Sequence, residues 1–212
     1  MPRTALLRDW VQTLFEPQFP VDEIRIEPAS VDASFRRYFR ITLPDQRTRI
    51  VMDAPPEKED CHPFVNIASL FHEAGVHVPQ IIAQDLAQGF LLLTDLGTIT
   101  YLSALQDRRT APRLYRDASR ALVAIQRASR SGVLPDYDRS LLGRELALFP
   151  DWYLRHHLGL TPDAKMQNTL DAVFAALLAN NLKQPLVFVH RDYHSRNLMA
   201  IDGSFPANPG IL

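Results

Sequence analysis

The chain has 212 residues, 46% apolar and 22% charged, with 23 basic and 24 acidic side chains. That is enough apolar material for one large domain or two small lobes, and a charge too balanced for bulk attraction to nucleic acid or an anionic membrane. Cys61 is the only cysteine, which excludes an internal disulfide and points to a reducing compartment.

The first ten residues, M-P-R-T-A-L-L-R-D-W, carry charge through their short apolar stretch, unlike a signal peptide. No apolar run approaches the length of a membrane span. The expectation is a soluble cytoplasmic protein with neither nucleic acid nor membrane as partner. Residues 4–15 predict an amphipathic helix, with Leu6, Leu7, Trp10 and Leu14 on one face and Thr4 as its cap. Pro17 and Pro20 close it. Residues 24–27 predict a short strand.

From Phe35 the chain alternates: Phe35, Arg37, Phe39, Ile41 and Leu43 to one side, Arg36, Tyr38, Arg40 and Thr42 to the other. A turn at 44–47 and a return strand at 49–53 make a hairpin, for which a half-exposed sheet surface is one reading. Residues 63–74 predict a helix that ends at Gly75, with Phe64, Ile67, Ala68, Leu70 and Phe71 largely on one side. Residues 81–85 and 90–94 are apolar strands joined by Gln88-Gly89, and they complete a five-stranded sheet. Thr94-Asp-Leu-Gly97 breaks the strand run.

The remainder is helical over 112–128, 141–158 and 166–182. In the last of these, Leu170, Val173, Phe174, Leu177 and Leu178 form a stripe expected to be a core face. The run 185–189, P-L-V-F-V, predicts a strand. A polar knot at 190–197 follows, then a second short apolar run and the turn signal Asp202-Gly203. A loop held between two buried strands is a good place for reactive groups, because its ends cannot wander.

Inside that knot Asp192 and Asn197 stand five residues apart. This is the D-x-x-x-x-N spacing of a phosphotransferase loop: the Asp accepts the acceptor hydroxyl's proton, and the Asn amide oxygen holds Mg²⁺ beside nucleotide phosphates. A carboxylate is ionised at neutral pH, and Mg²⁺ wants hard oxygen donors. Two plainer readings compete. Asp192 and Asn197 are common turn and capping residues. His190 and His194 have the H-x-x-x-H spacing of a zinc pair, but the expected strand before them and the missing motif glutamate oppose it.

The full pattern, His190-x-Asp192-x-His194-x-x-Asn197, resembles the catalytic loop of the aminoglycoside phosphotransferase and choline kinase-like superfamily. The stretch D-A-S-F-R-R-Y-F-R at 32–40 resembles one branch, the bacterial kinases of the anomeric hydroxyl of cell-wall amino sugars such as N-acetylmuramate and N-acetylglucosamine. The resemblance implies an α+β, protein-kinase-like two-lobed fold: an antiparallel-sheet N-lobe over 1–96 and a truncated helical C-lobe over 97–212. It implies ATP and Mg²⁺ as cofactors, a small-molecule sugar acceptor and a place in peptidoglycan recycling. Asp192 would be the base, with His190 and His194 orienting the loop and Asn197 on the metal.

The nucleotide would lie against Ser34, Arg36 and Arg37, with its adenine on the backbone of Asp95 and Leu96. Two departures stand out. The nucleotide loop has no glycine, and the return strand ends in Met52-Asp53 where such kinases place a phosphate-binding lysine. Glu57, Glu59 and Glu73 are the acids open to the helix-borne partner role. The stretch 145–154, E-L-A-L-F-P-D-W-Y-L, resembles the branch's acceptor region and puts Glu145 and Trp152 near the sugar. Gly210-Ile-Leu212 resembles the strand just before the family's main metal-binding Asp. The chain then covers only the first part of the family's length, and these residues alone are expected to be inactive. Two other functions fit: a kinase-like fragment that binds nucleotide or a partner without turnover, and a kinase of an aminoglycoside or amine alcohol.

Overall fold

The computed structural model describes residues 2–16, 18–31, 35–201 and 209–212. The chain forms two compact units, Met1–Arg127 with Val189–Leu212, and Ala128–Phe188.

The first unit is built on helix α1 (Arg3–Phe15), strands β1 (Arg25–Val31), β2 (Arg37–Thr42) and β3 (Thr48–Asp53), helix α2 (His62–Glu73), and strands β4 (Ile81–Asp85) and β5 (Phe90–Thr94). The five strands form one antiparallel sheet in the order β1-β2-β3-β5-β4. Both faces of this sheet carry packed residues, while β2 itself stays half-exposed as the hairpin reading expects, with Ile41 its one buried residue. On one face Ile41, Leu43, Val51, Phe90 and Leu92 pack with Leu7, Trp10 and Val11 of α1. Trp10 stacks on Phe90 with ring centroids 5.5 Å apart. On the other face Met52, Leu91 and Leu93 pack with Ala54 and Cys61, and Tyr38, Ile50, Phe64 and Val65 lie against them. Period-two alternation supplies both sets, because successive strand residues point to opposite faces.

Thr4 does not cap α1. Pro2 occupies the cap position and no side chain bonds to the helix start. A proline there has its φ fixed by the ring, at −59°, and no N–H to satisfy. Between β4 and β5, Gly89 takes φ +72, and a Cβ on it would stand 1.9 Å from the Ala54 carbonyl oxygen. Only glycine lets this turn close onto the end of β3, where the Ala54 N–H donates to the Gly89 carbonyl at 2.9 Å.

The end of β3 holds a charge. The Asp53 side chain is 0% exposed and accepts Arg3 Nε at 2.7 Å and Arg37 Nε at 3.1 Å. Arg37 Nη2 bonds the same carboxylate, and Arg3 Nη2 reaches the Gln88 carbonyl. The Arg3 guanidinium also lies 4.5 Å from the Phe90 ring centre. One carboxylate thus joins α1, β2 and β3, with Arg3 extending the link to the β4–β5 turn.

After β5 come α3 (Tyr101–Ala104) and α4 (Ala111–Arg127). The second unit then contains α5 (Arg139–Leu148), a π-helical segment (Phe149–His157) and α6 (Ala164–Asn181). Asp138 and Asp163 cap α5 and α6 through the Leu141 and Met166 N–H groups, at 2.8 and 2.7 Å. The helix predicted over 141–158 forms as one continuous run, Arg139–His157, that changes from α to π geometry after Leu148. Pro150 has no N–H to donate to Leu146, whose carbonyl takes the Phe149 N–H instead. The helix widens, and the Leu158 N–H donates to Tyr153 five residues back, at 3.0 Å. The α6 stripe is not the expected core face either. Val173 and Leu177 are exposed, and α6 has no buried residue. The strand predicted at 185–189 is absent. Those residues pair with no strand among the described residues, and Leu186, Val187 and Val189 are exposed. Strand-forming composition gives no strand without a ladder partner.

The chain returns to the first unit at Val189, and β6 (Leu198–Met199) pairs antiparallel with β7 (Gly210–Ile211). Asp202 and Gly203 lie outside the described residues. Among the described residues no helix is long and apolar enough to cross a membrane.

Candidate active site

The loop 190–197 is shaped by one backbone reversal. Arg191 takes φ +71, a left-handed conformation that costs a non-glycine residue on the order of 1 kcal/mol. His190 stacks on Phe71 of α2 at 5.9 Å between centroids and meets the edge of Tyr193 at 5.5 Å. Burial pushes the His190 imidazole below its usual pKa, against the opposing pull of the Leu212 backbone hydrogen bond and Asp192. Past the reversal, the Asp192 side chain is 66% exposed.

Both Asp192 oxygens are held. His194 Nε2 lies 2.8 Å from Oδ1, and Asn197 Nδ2 donates to Oδ2 at 2.7 Å. The Arg196 N–H donates to His194 Nδ1 at 3.3 Å, so in the neutral ring Nε2 carries the proton toward Asp192. Asp192 is acceptor-only when ionised, so Asn197 must turn its NH₂ toward it. That leaves the Asn197 carbonyl oxygen as the side chain's remaining donor atom. The same NH₂ also reaches the Asp192 carbonyl at 3.1 Å, and the Asn197 N–H donates to the His194 carbonyl at 2.9 Å. Local turn bonds and the carboxylate fix one arrangement, in which the turn reading of Asp192 and Asn197 and their chemical reading coexist. Among the described residues no group of three or more His, Cys, Asp or Glu could hold a metal ion.

The loop is braced from two sides. The Leu102 N–H of α3 donates to the Ser195 carbonyl at 2.9 Å, and the Tyr193 hydroxyl donates to the Ala118 carbonyl of α4 at 2.7 Å. Tyr101, 2% exposed, has a buried hydroxyl with no hydrogen-bond partner among the described residues. Burial raises both phenols, Tyr193 to about 12. The two tyrosines therefore make opposite predictions. Tyr193→Phe should cost about 1 kcal/mol, since it loses that hydrogen bond, while Tyr101→Phe should be neutral or stabilising, since it removes an unmet desolvation penalty. Chemical denaturation of both variants checks this; a loss of more than about 1 kcal/mol in Tyr101→Phe would reveal a partner for that hydroxyl.

The break after β5 lies close to the loop. The Ala200 N–H donates to the Ile99 carbonyl at 2.8 Å, and Thr100 forms an isolated bridge with Met199. A cavity of about 360 Å³ opens there, lined by His77, Asp95, Leu96, Gly97, Thr98, Ile99, Ala200 and Ile201. Gly97, at φ +88, turns the chain away from the sheet. The Asp95 carboxylate is not available to a ligand. Arg40 grips it at 2.6 and 3.0 Å, and the Gly97 N–H donates to it at 2.9 Å. Burial raises that carboxyl, but the Arg40 and Gly97 bonds outweigh it and hold the group below the usual range. Arg40 also donates to the Gly97 carbonyl at 2.8 Å. This clamp spans 55 residues and left no local sign in the sequence.

The other candidates fall as follows. Ser34 lies outside the described residues. Arg36 bonds Glu59 at 3.3 Å, whereas Arg37 is turned to Asp53. In the second unit, Glu145 accepts a hydrogen bond from the Tyr137 hydroxyl, and Trp152 is 63% exposed and stacked on His156 at 4.9 Å.

Residues 25–205 match the family described as phosphotransferase enzyme family (APH). The chain belongs to that family. It is similar to N-acetylmuramate/N-acetylglucosamine kinases of two bacteria. With that of Pseudomonas aeruginosa PAO1 it shares 52% identity over 87% of this chain and 53% of the relative. With that of Pseudomonas putida KT2440 it shares 50% over 87% of this chain and 52% of the relative. The chain thus spans about half the length of the curated relatives it matches. Among solved structures, a choline/ethanolamine kinase family protein from Mesorhizobium loti superposes with a TM-score of 0.61 at 15% identity, over 99% of this chain and 64% of that one. At that identity the likeness establishes the fold: this family member has the sheet-plus-helix architecture of the kinase-like phosphotransferases.

Proposed function

We propose that the full-length protein carrying this chain is an ATP-dependent kinase of the anomeric hydroxyl of a cell-wall amino sugar. The observation that carries the reading is the Asp192 carboxylate, two-thirds exposed and fixed through both oxygens by His194 and Asn197. The acceptor class is that named for the relatives.

Asp192 orients the acceptor hydroxyl and takes its proton as the new O–P bond forms and the terminal phosphoryl group leaves ADP. His194 and Asn197 keep the carboxylate aimed, so that little reorganisation remains in the transition state. The adenine edge lies in the cavity beside the backbone of Asp95 and Leu96, whose position the Arg40 clamp sets. The Asn197 carbonyl oxygen fits Mg²⁺, which commonly takes only one or two protein oxygens and completes its shell with phosphates and water. When bound, the ion neutralises charge on the phosphates. In the second unit, the exposed Trp152 ring suits the apolar face of a sugar, and Glu145 suits its hydroxyls.

The test is the full-length protein with ATP and Mg²⁺, offered N-acetylmuramate, N-acetylglucosamine, an aminoglycoside and choline in turn. ADP release dependent on the amino sugars, with phosphorus on the anomeric oxygen by NMR, is the expected result. Release that depends on the aminoglycoside or choline alone would move the protein to another specificity.

A further inference from the structure

The total charge of the chain is balanced, but helix α4 is not. Its sequence, A-P-R-L-Y-R-D-A-S-R-A-L-V-A-I-Q-R, carries four arginines and one acid. Leu114, Ala118 and Ile125 form its buried side. We propose that the opposite side, with Arg113, Arg116, Arg120 and Arg127, is a docking surface for an anionic lipid membrane. The proposal goes beyond the kinase reading and does not depend on it.

Three observations carry it. First, the four arginines lie on one line. At about 100° per residue they fall within an arc of roughly 60°, turned away from Ala118 and Ile125. All four are exposed. They extend along roughly 21 Å of helix at the usual rise, so one plane can touch all of them at once.

Second, the charge on that line is unmatched. Among the described residues Arg113, Arg116 and Arg127 make no ion pair. Arg120 reaches Asp117 at 3.9 Å, and its side chain remains 75% exposed. Asp117, the acid of this helix, is 17% exposed and lies outside the arc. Arg109, in the turn before the helix, is bound by Asp107 at 2.8 Å and adds no free charge.

Third, shape and spacing select the partner. The arginines step along the helix by about 4.5, 6 and 10.5 Å, which is not a repeat. A nucleic-acid strand presents phosphates at a fixed interval, and a bound peptide needs a groove or a sheet edge. The outer face of a single helix is convex and offers neither. Anionic lipids diffuse in the plane of the leaflet and gather under whatever cations approach, so unequal spacing is no obstacle. Val123 is 47% exposed and borders the arc between Arg120 and Arg127, an apolar side chain for the headgroup level. The buried side of α4 stays in the protein core, so nothing is inserted deeper. Each arginine close to an anionic leaflet gains about fivefold in partitioning, and four gain roughly several hundredfold. The attraction dies away within a Debye length, so docking is reversible and sensitive to salt. It gathers the protein at the bilayer without anchoring it there.

The experiment uses the full-length protein with vesicles of phosphatidylcholine alone and vesicles that also contain phosphatidylglycerol. Cosedimentation is read at low and high salt. The stripe variant carries Arg113→Gln, Arg116→Gln, Arg120→Gln and Arg127→Gln. A charge-matched control carries Gln at four exposed arginines elsewhere: Arg8, Arg25, Arg47 and Arg139. The wild type and the control should bind the phosphatidylglycerol vesicles at low salt and leave them at high salt. The stripe variant should bind them no better than phosphatidylcholine, with its thermal midpoint unchanged. Arg116→Gln and Arg120→Gln alone should each weaken binding about fivefold, which keeps the test open if the fourfold variant does not fold. Replacing all four by Lys should preserve binding, since charge and not the guanidinium fork is at work. A wild type that ignores phosphatidylglycerol, or a control that loses binding as the stripe variant does, overturns the proposal. So does a wild type that holds duplex DNA or polyglutamate more tightly than the vesicles through the same arginines, because the surface would then serve another polyanion.

Discussion

Asp192→Asn in the full-length protein is expected to lower turnover by roughly 10²–10⁴-fold, the usual contribution of a positioned general base. The substituted amide keeps one oxygen, so it can still accept from either His194 or Asn197, and the loop should hold its shape. What it loses is the capacity to take a proton. ATP and sugar affinities should therefore change little, and the loss should appear in kcat. Steady-state ADP release with both substrates varied separates the two. A variant that retains turnover within a few-fold of wild type would remove Asp192 from the base role.

The largest effect on stability is expected at Asp53. Asp53→Ala takes one carboxylate from beneath two guanidiniums that it holds at hydrogen-bond distance. Breaking a buried pair costs about 3–5 kcal/mol, because it strands the remaining charge. Here Arg37 is 46% exposed and can turn to water, so the low end, about 3 kcal/mol, is expected. Arg3 is 23% exposed, lies over Phe90, and has less freedom to escape. Arg37→Ala should cost less than Asp53→Ala, since the carboxylate keeps Arg3. Urea unfolding of the variants gives the comparison; equal losses from both would mean that Arg37, not the buried carboxylate, is the centre of the cluster.

Neither arginine of the Asp53 cluster was readable from the sequence as a structural partner. Arg3 is 50 residues away and Arg37 is 16, and nothing in the alternation of β2 says which arginine turns to which face's partner. Arg40 and Asp95 pose the same problem at greater separation. What was legible was local. Strands β4 and β5 have the expected bounds, because each is a short apolar run with a turn at Gln88-Gly89 between them. The relation of Asp192 to Asn197 was legible for the same reason, since five residues of turn bring the two side chains together. The strand expected at 185–189 failed because composition describes one strand and a ladder needs two. The change from α to π geometry after Leu148 has a visible cause in Pro150, to which helical periodicity on either side is blind.

One consequence of the topology concerns how the protein is made and how it can change. The sheet, the cavity-lining turn after it and the helices that brace the loop all lie in Met1–Arg127, while Asp192 and Asn197 arrive with Val189–Leu212. During synthesis the scaffold can fold while the reactive loop is still unmade, and the Leu102–Ser195 bond closes only when the chain returns. The intervening Ala128–Phe188 is, to the first unit, a closed excursion. Closure entropy grows only with the logarithm of loop length, about 0.6 kcal/mol per doubling. By closure entropy alone, a change in the length of that excursion adds little to the cost of bringing Asp192 back to its scaffold.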